Sequence, residues 1–175
     1  FMHKEINDQR HFIYDALASD VTDAKKLIAQ YKNIDVIACG TSYHAGLLLS
    51  LLLEKINKRA RTFIASDYPY VAHAEKDVLV ICITQSGETA DVLQAVKYAK
   101  KNKAKVLGIT NVVGSSITRE ADAIVYLNVG PEIGVAATKT FTAQLAIAYL
   151  LTMDKEKLTD IPKIIDQALT TENDI

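Results

Sequence analysis

Several features are scarce or missing in this sequence, and each absence excludes a class of protein. The formal net charge of the 175 residues is only −1. A charge this small gives no long-range attraction to nucleic acid or to anionic membranes, so we expect neither as a partner. The apolar runs also fall far short of the roughly 20 residues that a membrane-spanning helix needs.

Cysteine and cofactor motifs are equally scarce. The only cysteines, Cys39 and Cys82, lie in apolar segments near predicted strand ends, which favours two free thiols over a disulfide. No basic-then-apolar signal segment is visible, and we expect a cytoplasmic protein. The sequence has no cysteine–histidine spacing of a zinc site, no GxGxxG and no GKS/T. We therefore expect neither a metal nor a cofactor.

The clearest positive signal is an apolar run that stops abruptly at a polar turn. Residues 78–83 are all apolar, which is typical of a strand buried on both faces of a parallel sheet. Residues 84–89, Thr-Gln-Ser-Gly-Glu-Thr, follow at once and lead into a helical pattern beginning near Glu88. The turn is thus placed at the carboxyl end of a central strand, where open α/β sheets bind ligands.

Strand and helix patterns alternate along the whole chain. Predicted strands cover 34–39, 62–65, 78–83, 105–110 and 123–127. Predicted helices cover 1–18, 22–31, 43–57, 88–101, 115–120, 140–153 and 157–169, with a short helix or turn at 66–70. This alternation predicts a three-layer αβα fold with a five-stranded parallel, flavodoxin-like sheet of order 2-1-3-4-5. We see no linker or repeat, and expect one domain over residues 1–175, with helices 1–32 packed on it.

Two hydroxyl-rich strand ends meet at the switch point of such a sheet, which lies between its first and third strands. They are residues 39–42 and 84–89. Helix N-termini at this edge offer unpaired N–H groups and the positive end of the helix dipole, which favour anions. These features predict a phosphate cradle of hydroxyls and amides without a P-loop lysine. The alternative is that Ser86 and Ser42 serve only as helix caps.

Other polar residues allow two interpretations each. Lys139 is either a catalytic amine or phosphate contact, or a solvated lysine on the outer face of its helix. His44 either takes part in acid–base chemistry or is a packed or surface histidine. Asp67 and Tyr68 follow the second strand and could both approach the site. The other interpretation of Asp67 is that it caps the short helix after that strand.

Four segments of the chain carry a family resemblance. They are Cys-Gly-Thr-Ser-Tyr at 39–43, Thr-Gln-Ser-Gly-Glu-Thr-Ala-Asp at 84–91, Asn-Val-Val-Gly-Ser-Ser at 111–116 and Glu-Ile-Gly-Val-Ala-Ala-Thr-Lys-Thr-Phe-Thr at 132–142. In this order and spacing they closely resemble the first sugar isomerase (SIS) domain of glutamine–fructose-6-phosphate aminotransferases, also called glucosamine-6-phosphate synthases. The resemblance extends from about residue 1 to residue 153.

The resemblance implies a site for a sugar phosphate such as fructose 6-phosphate or glucosamine 6-phosphate. By position, the residues expected to hold the phosphate are Thr84, Gln85, Ser86 and Thr89. Those expected to contact the sugar are Thr41 and Ser42, through their hydroxyls, and Val135, through its backbone.

The same resemblance implies a reaction that this chain does not complete alone. The family makes glucosamine 6-phosphate from fructose 6-phosphate and glutamine, at the start of UDP-GlcNAc synthesis. Its glutaminase domain and second SIS domain, which supplies the isomerisation base and the Schiff-base lysine, have no match in these 175 residues. We expect either an excised domain or a naturally short relative, inactive in isolation and pairing as a homodimer or with a second SIS domain. The alternatives are a stand-alone sugar-phosphate sensor and a short ketose–aldose isomerase completed across a dimer.

Overall fold

In the computed structural model, which describes residues 1–171, strands and helices alternate as the sequence predicts. The strands are β1 (Asn33–Ala38), β2 (Arg59–Ile64), β3 (Val78–Thr84), β4 (Lys105–Thr110) and β5 (Ala123–Tyr126). The helices are α1 (Met2–Leu17), α2 (Thr22–Gln30), α3 (Thr41–Lys55), α4 (Tyr68–Val71), α5 (Ala90–Lys101), α6 (Ser116–Glu120), α7 (Lys139–Thr152) and α8 (Ile161–Thr170). A short 3-10 helix, Lys155–Leu158, precedes α8.

The five strands form one sheet in the order β2-β1-β3-β4-β5, and the predicted fold class is confirmed. Every neighbouring pair is parallel, so all carboxyl ends lie at the same edge of the sheet. The central strand β3 pairs with β1 on one side and with β4 on the other. The ends of β1 and β3 are therefore neighbours, as the switch-point argument requires.

The apolar run of β3 is buried along its whole length because helices cover both faces of the sheet. Leu79 and Ile81 point into a core shared with α1, α3 and α7. Val80 and Cys82 point the other way, into a second core formed with α4, α5 and α6. This alternation explains why the strand reads as a continuous hydrophobic run without the polar alternation of a half-exposed strand.

Several predicted boundaries differ from the structure. Helix α5 begins at Ala90 and not at Glu88, because Gly87 has a φ of +70° and Thr89 is extended. Strand β2 begins at Arg59, three residues earlier than predicted. It is an edge strand, with one open side, and tolerates the exposed arginines that interrupted its apolar pattern.

The predicted C-terminal helix, residues 157–169, is wrong at its start. The chain first makes the 3-10 turn and enters α8 only at Ile161. Pro162 lies in the first turn of α8, the part of a helix where its missing N–H and fixed φ are tolerated. A helix continuing through Pro162 from residue 157 would lose a backbone hydrogen bond there.

Both cysteines are free thiols. Cys82 lies inside β3 and not at its end, and burial raises the pKa of its thiol to about 12. Burial also raises the pKa of Cys39, which is half-buried just after β1. Neither thiol is thus an activated nucleophile at neutral pH. Across residues 1–171, none of the helices combines the length and hydropathy needed to cross a bilayer.

Candidate functional site

A cleft of about 210 Å³ opens at the carboxyl ends of β1 and β3. It lies between the N-termini of α3 and α5, with the 130–138 loop as its third wall. The residues predicted for the sugar-phosphate site all line it: Thr41, Ser42, Thr84, Gln85, Ser86, Thr89 and Val135. Segments up to about 90 positions apart in sequence therefore come together around one small, polar space.

The Thr84–Thr89 turn is organised by its own hydroxyl groups. The Oγ1 of Thr84 accepts a hydrogen bond from the N–H of Gly87 at 3.3 Å and lies 3.1 Å from Oγ1 of Thr89. The Oγ of Ser86 accepts from the N–H of Glu88 at 3.2 Å. Thr89, and not Ser86, is the residue from which α5 starts, so the interpretation of Ser86 as the helix cap is wrong.

Gly87 fixes the shape of this turn. Its φ of +70° lies in the left-handed region, which glycine adopts without steric cost. A Cβ atom built on Gly87 would lie 2.1 Å from Oγ of Ser115, at the start of α6. The carbonyl of Gly87 also accepts a hydrogen bond from the N–H of Ile117 at 3.1 Å. The turn is thus packed directly against α6.

Glu88 has a structural role that the sequence did not reveal. It precedes α5, and its carboxylate accepts a hydrogen bond from the N–H of Ser116 at 2.7 Å. Hydrogen bonding by the side chain of Ser116, followed by that of its backbone N–H, holds the pKa of Glu88 below its ordinary value. An anion at the start of α6 satisfies an unpaired helix N–H, so Glu88 ties the turn to α6 and is not a general base.

The first turn of α3 presents Thr41 and Ser42 to the cleft. Gly40 precedes them with a φ of +56°, in the left-handed region that favours glycine. The alternative interpretation, in which Ser42 serves as the cap of α3, is wrong. Its Oγ accepts a hydrogen bond at 2.9 Å from Nε2 of Gln144, a buried residue of α7. The Ser42 hydroxyl proton is then available to a ligand oxygen in the cleft.

Glu132 organises the third wall of the cleft, a role that the sequence analysis did not predict. Its carboxylate accepts hydrogen bonds from the backbone N–H groups of Thr138, at 2.8 Å, and Thr140, at 3.3 Å. It also accepts from both of their hydroxyls. Glu132 therefore closes the loop onto the N-terminus of α7. It is the only carboxylate among the described residues that line the cleft, and its oxygens are engaged.

A second carboxylate reaches the same loop from α1. Oε1 of Glu5 accepts hydrogen bonds from the N–H of Ile133 at 2.6 Å and of Gly134 at 3.2 Å. Oε2 accepts from Gly134 at 3.1 Å. Glu5 lies 128 positions from Ile133, and a glutamate in the first turn of an amphipathic helix carries no sequence signal for such a contact.

The remaining polar candidates lie outside the cleft lining. Lys139 is buried with its Nζ 4.3 Å from the ring centre of Phe12, so the solvated-lysine interpretation is wrong. His44 is exposed on α3 and its ring packs edge-on against Tyr43, which fits the surface-histidine interpretation. Asp67 is exposed and precedes α4.

A larger groove, of about 610 Å³, opens at the opposite edge of the sheet. Side chains of both signs line it, among them Asp35, Lys58, Arg61 and Asp77. Asp35 is buried, and its carboxylate accepts hydrogen bonds from Arg61 and from the hydroxyl of Tyr68, each at 3.0 Å. Tyr68 is thereby held away from the cleft. Because parallel sheets bind ligands at their carboxyl edge, the smaller cleft is the candidate site.

The polar lining of the cleft can donate hydrogen bonds to an anion, although one carboxylate, Glu132, adds a negative charge to its wall. Its polar lining consists of hydroxyls, the Gln85 amide and backbone groups, beside one engaged carboxylate. Hydroxyls and amides donate hydrogen bonds to phosphate or sugar oxygens without a charge of their own. Among residues 1–171, no group of three or more His, Cys, Asp or Glu side chains is arranged to hold a metal ion.

Comparison with known proteins assigns the family. The family model described as "SIS domain" matches residues 27–153. This match covers well over half of the chain, which therefore belongs to the SIS domain family, as the four motifs predicted.

The relatives are glutamine–fructose-6-phosphate aminotransferases (isomerizing). The enzyme of Sulfurisphaera tokodaii is 44% identical over 174 residues, covering 95% of this chain and 29% of the relative. That of Thermotoga maritima is 37% identical and matches 100% of this chain and 33% of the relative. The chain thus spans about a third of the length of these relatives.

A solved structure is similar throughout. The C-terminal domain of glucosamine-fructose-6-phosphate aminotransferase from Francisella tularensis superimposes with a TM-score of 0.88 at 30% identity. The match covers 99% of this chain and 57% of the other.

Proposed function

We propose that this SIS domain binds fructose 6-phosphate or glucosamine 6-phosphate as part of a glutamine–fructose-6-phosphate aminotransferase. The observation that carries the proposal is the convergence of the seven predicted residues on one cleft at the carboxyl edge of the sheet. Those residues were assigned by position in the family motifs, and relatives 37–44% identical over nearly the whole chain bear that enzyme's name.

The phosphate group is assigned to the Thr84–Thr89 turn. This turn supplies the hydroxyls of Thr84, Ser86 and Thr89 together with its backbone N–H groups, close to the N-terminus of α5. Hydrogen bonds to a charged partner are each worth about 1.5–3 kcal/mol, more than those to a neutral one. Most of the affinity should therefore come from the phosphate, and the sugar hydroxyls contacted by Thr41 and Ser42 should orient the ring.

Binding without turnover is the expected behaviour of the isolated chain. Proton transfer between C1 and C2 of a ketose phosphate needs a general base placed over the carbon. The one carboxylate lining the cleft in the described part of the chain, Glu132, is held by the N–H groups and hydroxyls of Thr138 and Thr140. Amino-sugar formation would then require groups supplied by another domain or subunit.

Calorimetric titration of the 175-residue chain tests the proposal. Fructose 6-phosphate and glucosamine 6-phosphate should bind, and fructose should bind poorly. Preference for an unrelated sugar phosphate would instead indicate a sensor. Conversion of fructose 6-phosphate by the chain alone would indicate an isomerase completed across a dimer. Failure of all sugar phosphates to bind would refute the proposal.

We also propose that this domain pairs with a second SIS surface. The enzyme to which it belongs is proposed to be cytoplasmic. Leu47 and Leu51 on α3 keep 40% and 60% of their surface exposed, whereas the buried face of that helix packs on the sheet and α7. Exposed apolar side chains one helical turn apart are a feature of association surfaces. Sedimentation as a strict monomer at high concentration would contradict self-association through this face.

A further inference from the structure

We infer that Glu5 is a positioning residue, which holds the 130–138 loop in the geometry that the cleft requires. The inference rests on the proposed function for its ligand and on the contacts of Glu5 for its mechanism. Glu5 itself does not line the cleft, so it acts through the loop and not on a bound molecule.

The loop has little to hold it apart from hydrogen bonds. It carries Val135, whose side chain is fully exposed, and Ile133, which is also exposed. Apolar packing therefore does not fix this part of the loop, although Gly134 and Val135 line the cleft. Its position depends on polar contacts: Nδ2 of Asn111 donates to the carbonyl of Gly130 at 2.6 Å, Glu132 accepts from the start of α7, and Glu5 accepts from the N–H groups of Ile133 and Gly134.

Glu5 is well placed for this task because its own helix is anchored. Further along α1, Ile13 and Ala16 are buried in the main core, and the side chain of Gln9 accepts a hydrogen bond from the hydroxyl of Thr142 on α7. The side chain of Glu5 keeps only 5% of its surface exposed. A buried carboxylate that receives two backbone N–H groups is a rigid support, because breaking those bonds would leave its charge unsatisfied.

The loop is shaped to receive this carboxylate. A Cβ atom built on Gly134 would lie 2.5 Å from Oε2 of Glu5. Any larger residue at position 134 would therefore displace the carboxylate or the loop. Gly134 and Glu5 form a matched pair, and each offers an independent way to disturb the same contact.

The negative charge of Glu5 contributes to its hold on the 130–138 loop. The N–H of Ile133, followed by that of Gly134, holds the pKa of Glu5 below its ordinary value of 4.5, against the opposing effect of burial. The cationic group facing it is Lys139 of α7, and the nearest acid in the loop is Glu132. A group with a lowered folded-state pKa stabilises the fold above its unfolded-state pKa. That contribution is lost as the pH falls through the folded-state value.

The test compares Glu5→Gln with Asp15→Asn in the 175-residue chain. Glu5→Gln keeps the size of the side chain, removes its charge and turns an NH₂ group toward backbone N–H donors. Asp15→Asn makes the same charge change at an exposed position of α1. We expect Glu5→Gln to shift the amide resonances of Ile133 and Gly134 and to raise the Kd for fructose 6-phosphate roughly tenfold. Asp15→Asn should change neither quantity.

Two further measurements separate positioning from general destabilisation. As the pH falls below 4.5, through the lowered folded-state pKa of Glu5, the Kd of the wild type should approach that of Glu5→Gln measured at the same pH, because protonation removes the same charge. Gly134→Ala should raise the Kd similarly, and the double variant should be less weakened than the sum of the two changes predicts. Thermal melts verify that each variant is folded, and Gly134→Ala replaces Glu5→Gln if the latter does not fold.

Unchanged amide resonances in Glu5→Gln would overturn the inference, and so would shifted resonances with an unchanged Kd. If the wild type binds no sugar phosphate, the proposed function fails. The resonances of Ile133 and Gly134 would then still decide whether Glu5 holds the loop.

Discussion

Two walls of the cleft, the Thr84–Thr89 turn and the 130–138 loop, are supported differently. The Thr84–Thr89 turn is held by hydroxyl bonds among its own residues, between Thr84, Gly87 and Thr89 and between Ser86 and Glu88, and by the contacts of Gly87 and Glu88 with α6. The 130–138 loop is held by carboxylates that bridge it to helices: Glu132 to the start of α7, and Glu5 from α1. Side-chain hydroxyls shape the first wall from within, whereas two carboxylates, one of them from a helix distant in sequence, support the second.

The two walls differ in whether the side chains that support the backbone also line the cleft. In the turn, the hydroxyls that shape the backbone also line the cleft, so the same atoms serve the fold and the ligand. In the loop, Glu5 shapes the backbone without lining the cleft. Changes in the turn should therefore affect binding directly, whereas changes to the loop supports should act through disorder of the loop.

The largest effect is expected for Gly87→Ala. The substitution forces a Cβ to within 2.1 Å of Oγ of Ser115 at a φ of +70°. Strain and overpacking together should lower the free energy of unfolding by about 2–5 kcal/mol and abolish sugar-phosphate binding. Thermal melts and calorimetry measure the two effects.

Gly114→Ala is the matched control for that variant. Gly114 has a φ of +77°, but a Cβ there would meet no atom within 4 Å. In Gly114→Ala, only backbone strain should lower the free energy of unfolding, by about 1 kcal/mol, and sugar-phosphate binding should persist. Equal losses in the two variants would show that contact with α6 does not shape the turn.

The next largest effect is expected for Glu132→Gln. The amide keeps one acceptor oxygen but presents a donor to the N–H groups and hydroxyls of Thr138 and Thr140. We expect a loss of about 2–3 kcal/mol in the free energy of unfolding, because buried donors lose a charged acceptor. Chemical denaturation measures it, and wild-type stability in this variant would contradict the support assigned to Glu132.

The same contrast explains what the sequence could predict. The strand order followed from alternating strand and helix patterns, and the turn followed from an apolar run that ends in hydroxyl residues, because both signals are local. Ser42 and Gln144 are 102 positions apart, and Glu5 and Ile133 are 128 apart. No periodicity or spacing encodes such pairs, so Glu5 and Gln144 were not found. Glu132 was missed although its partners are only six and eight positions away, because it bonds across a loop that has no regular pattern.

The predicted starts of α5 and α8 were wrong because of residues close to each start. The start of α5 was placed at Glu88 because an acid after a polar turn is typical of a first helical turn. The left-handed Gly87 delays the helix to Ala90, and Glu88 binds α6 instead. The start of α8 was misplaced because the amphipathic pattern continued across Pro162 into the 3-10 turn.

A smaller effect is expected for Thr84→Val, which keeps the shape of the side chain. Valine leaves the N–H of Gly87 without its acceptor and removes the partner of the Thr89 hydroxyl. The free energy of unfolding should fall by about 1–2 kcal/mol. Thr84→Ser, which keeps the hydroxyl, should retain most of the stability in the same denaturation experiment; wild-type stability in Thr84→Val would contradict the role assigned to the hydroxyl.

The central claim is that the Thr84–Thr89 turn binds the phosphate and is not merely the lead-in to a helix. Ser86→Ala tests it most directly, because the Ser86 hydroxyl lines the cleft and accepts only one local bond, from the N–H of Glu88. Calorimetric titration of fructose 6-phosphate and fructose into the wild type and the variant is the measurement. Loss of one hydrogen bond to a charged group predicts a Kd for the phosphorylated sugar that rises roughly tenfold to a hundredfold. The melting temperature should change little, and fructose should bind poorly to both proteins. Equal affinity of the two proteins for fructose 6-phosphate would contradict the assignment of the phosphate to this turn.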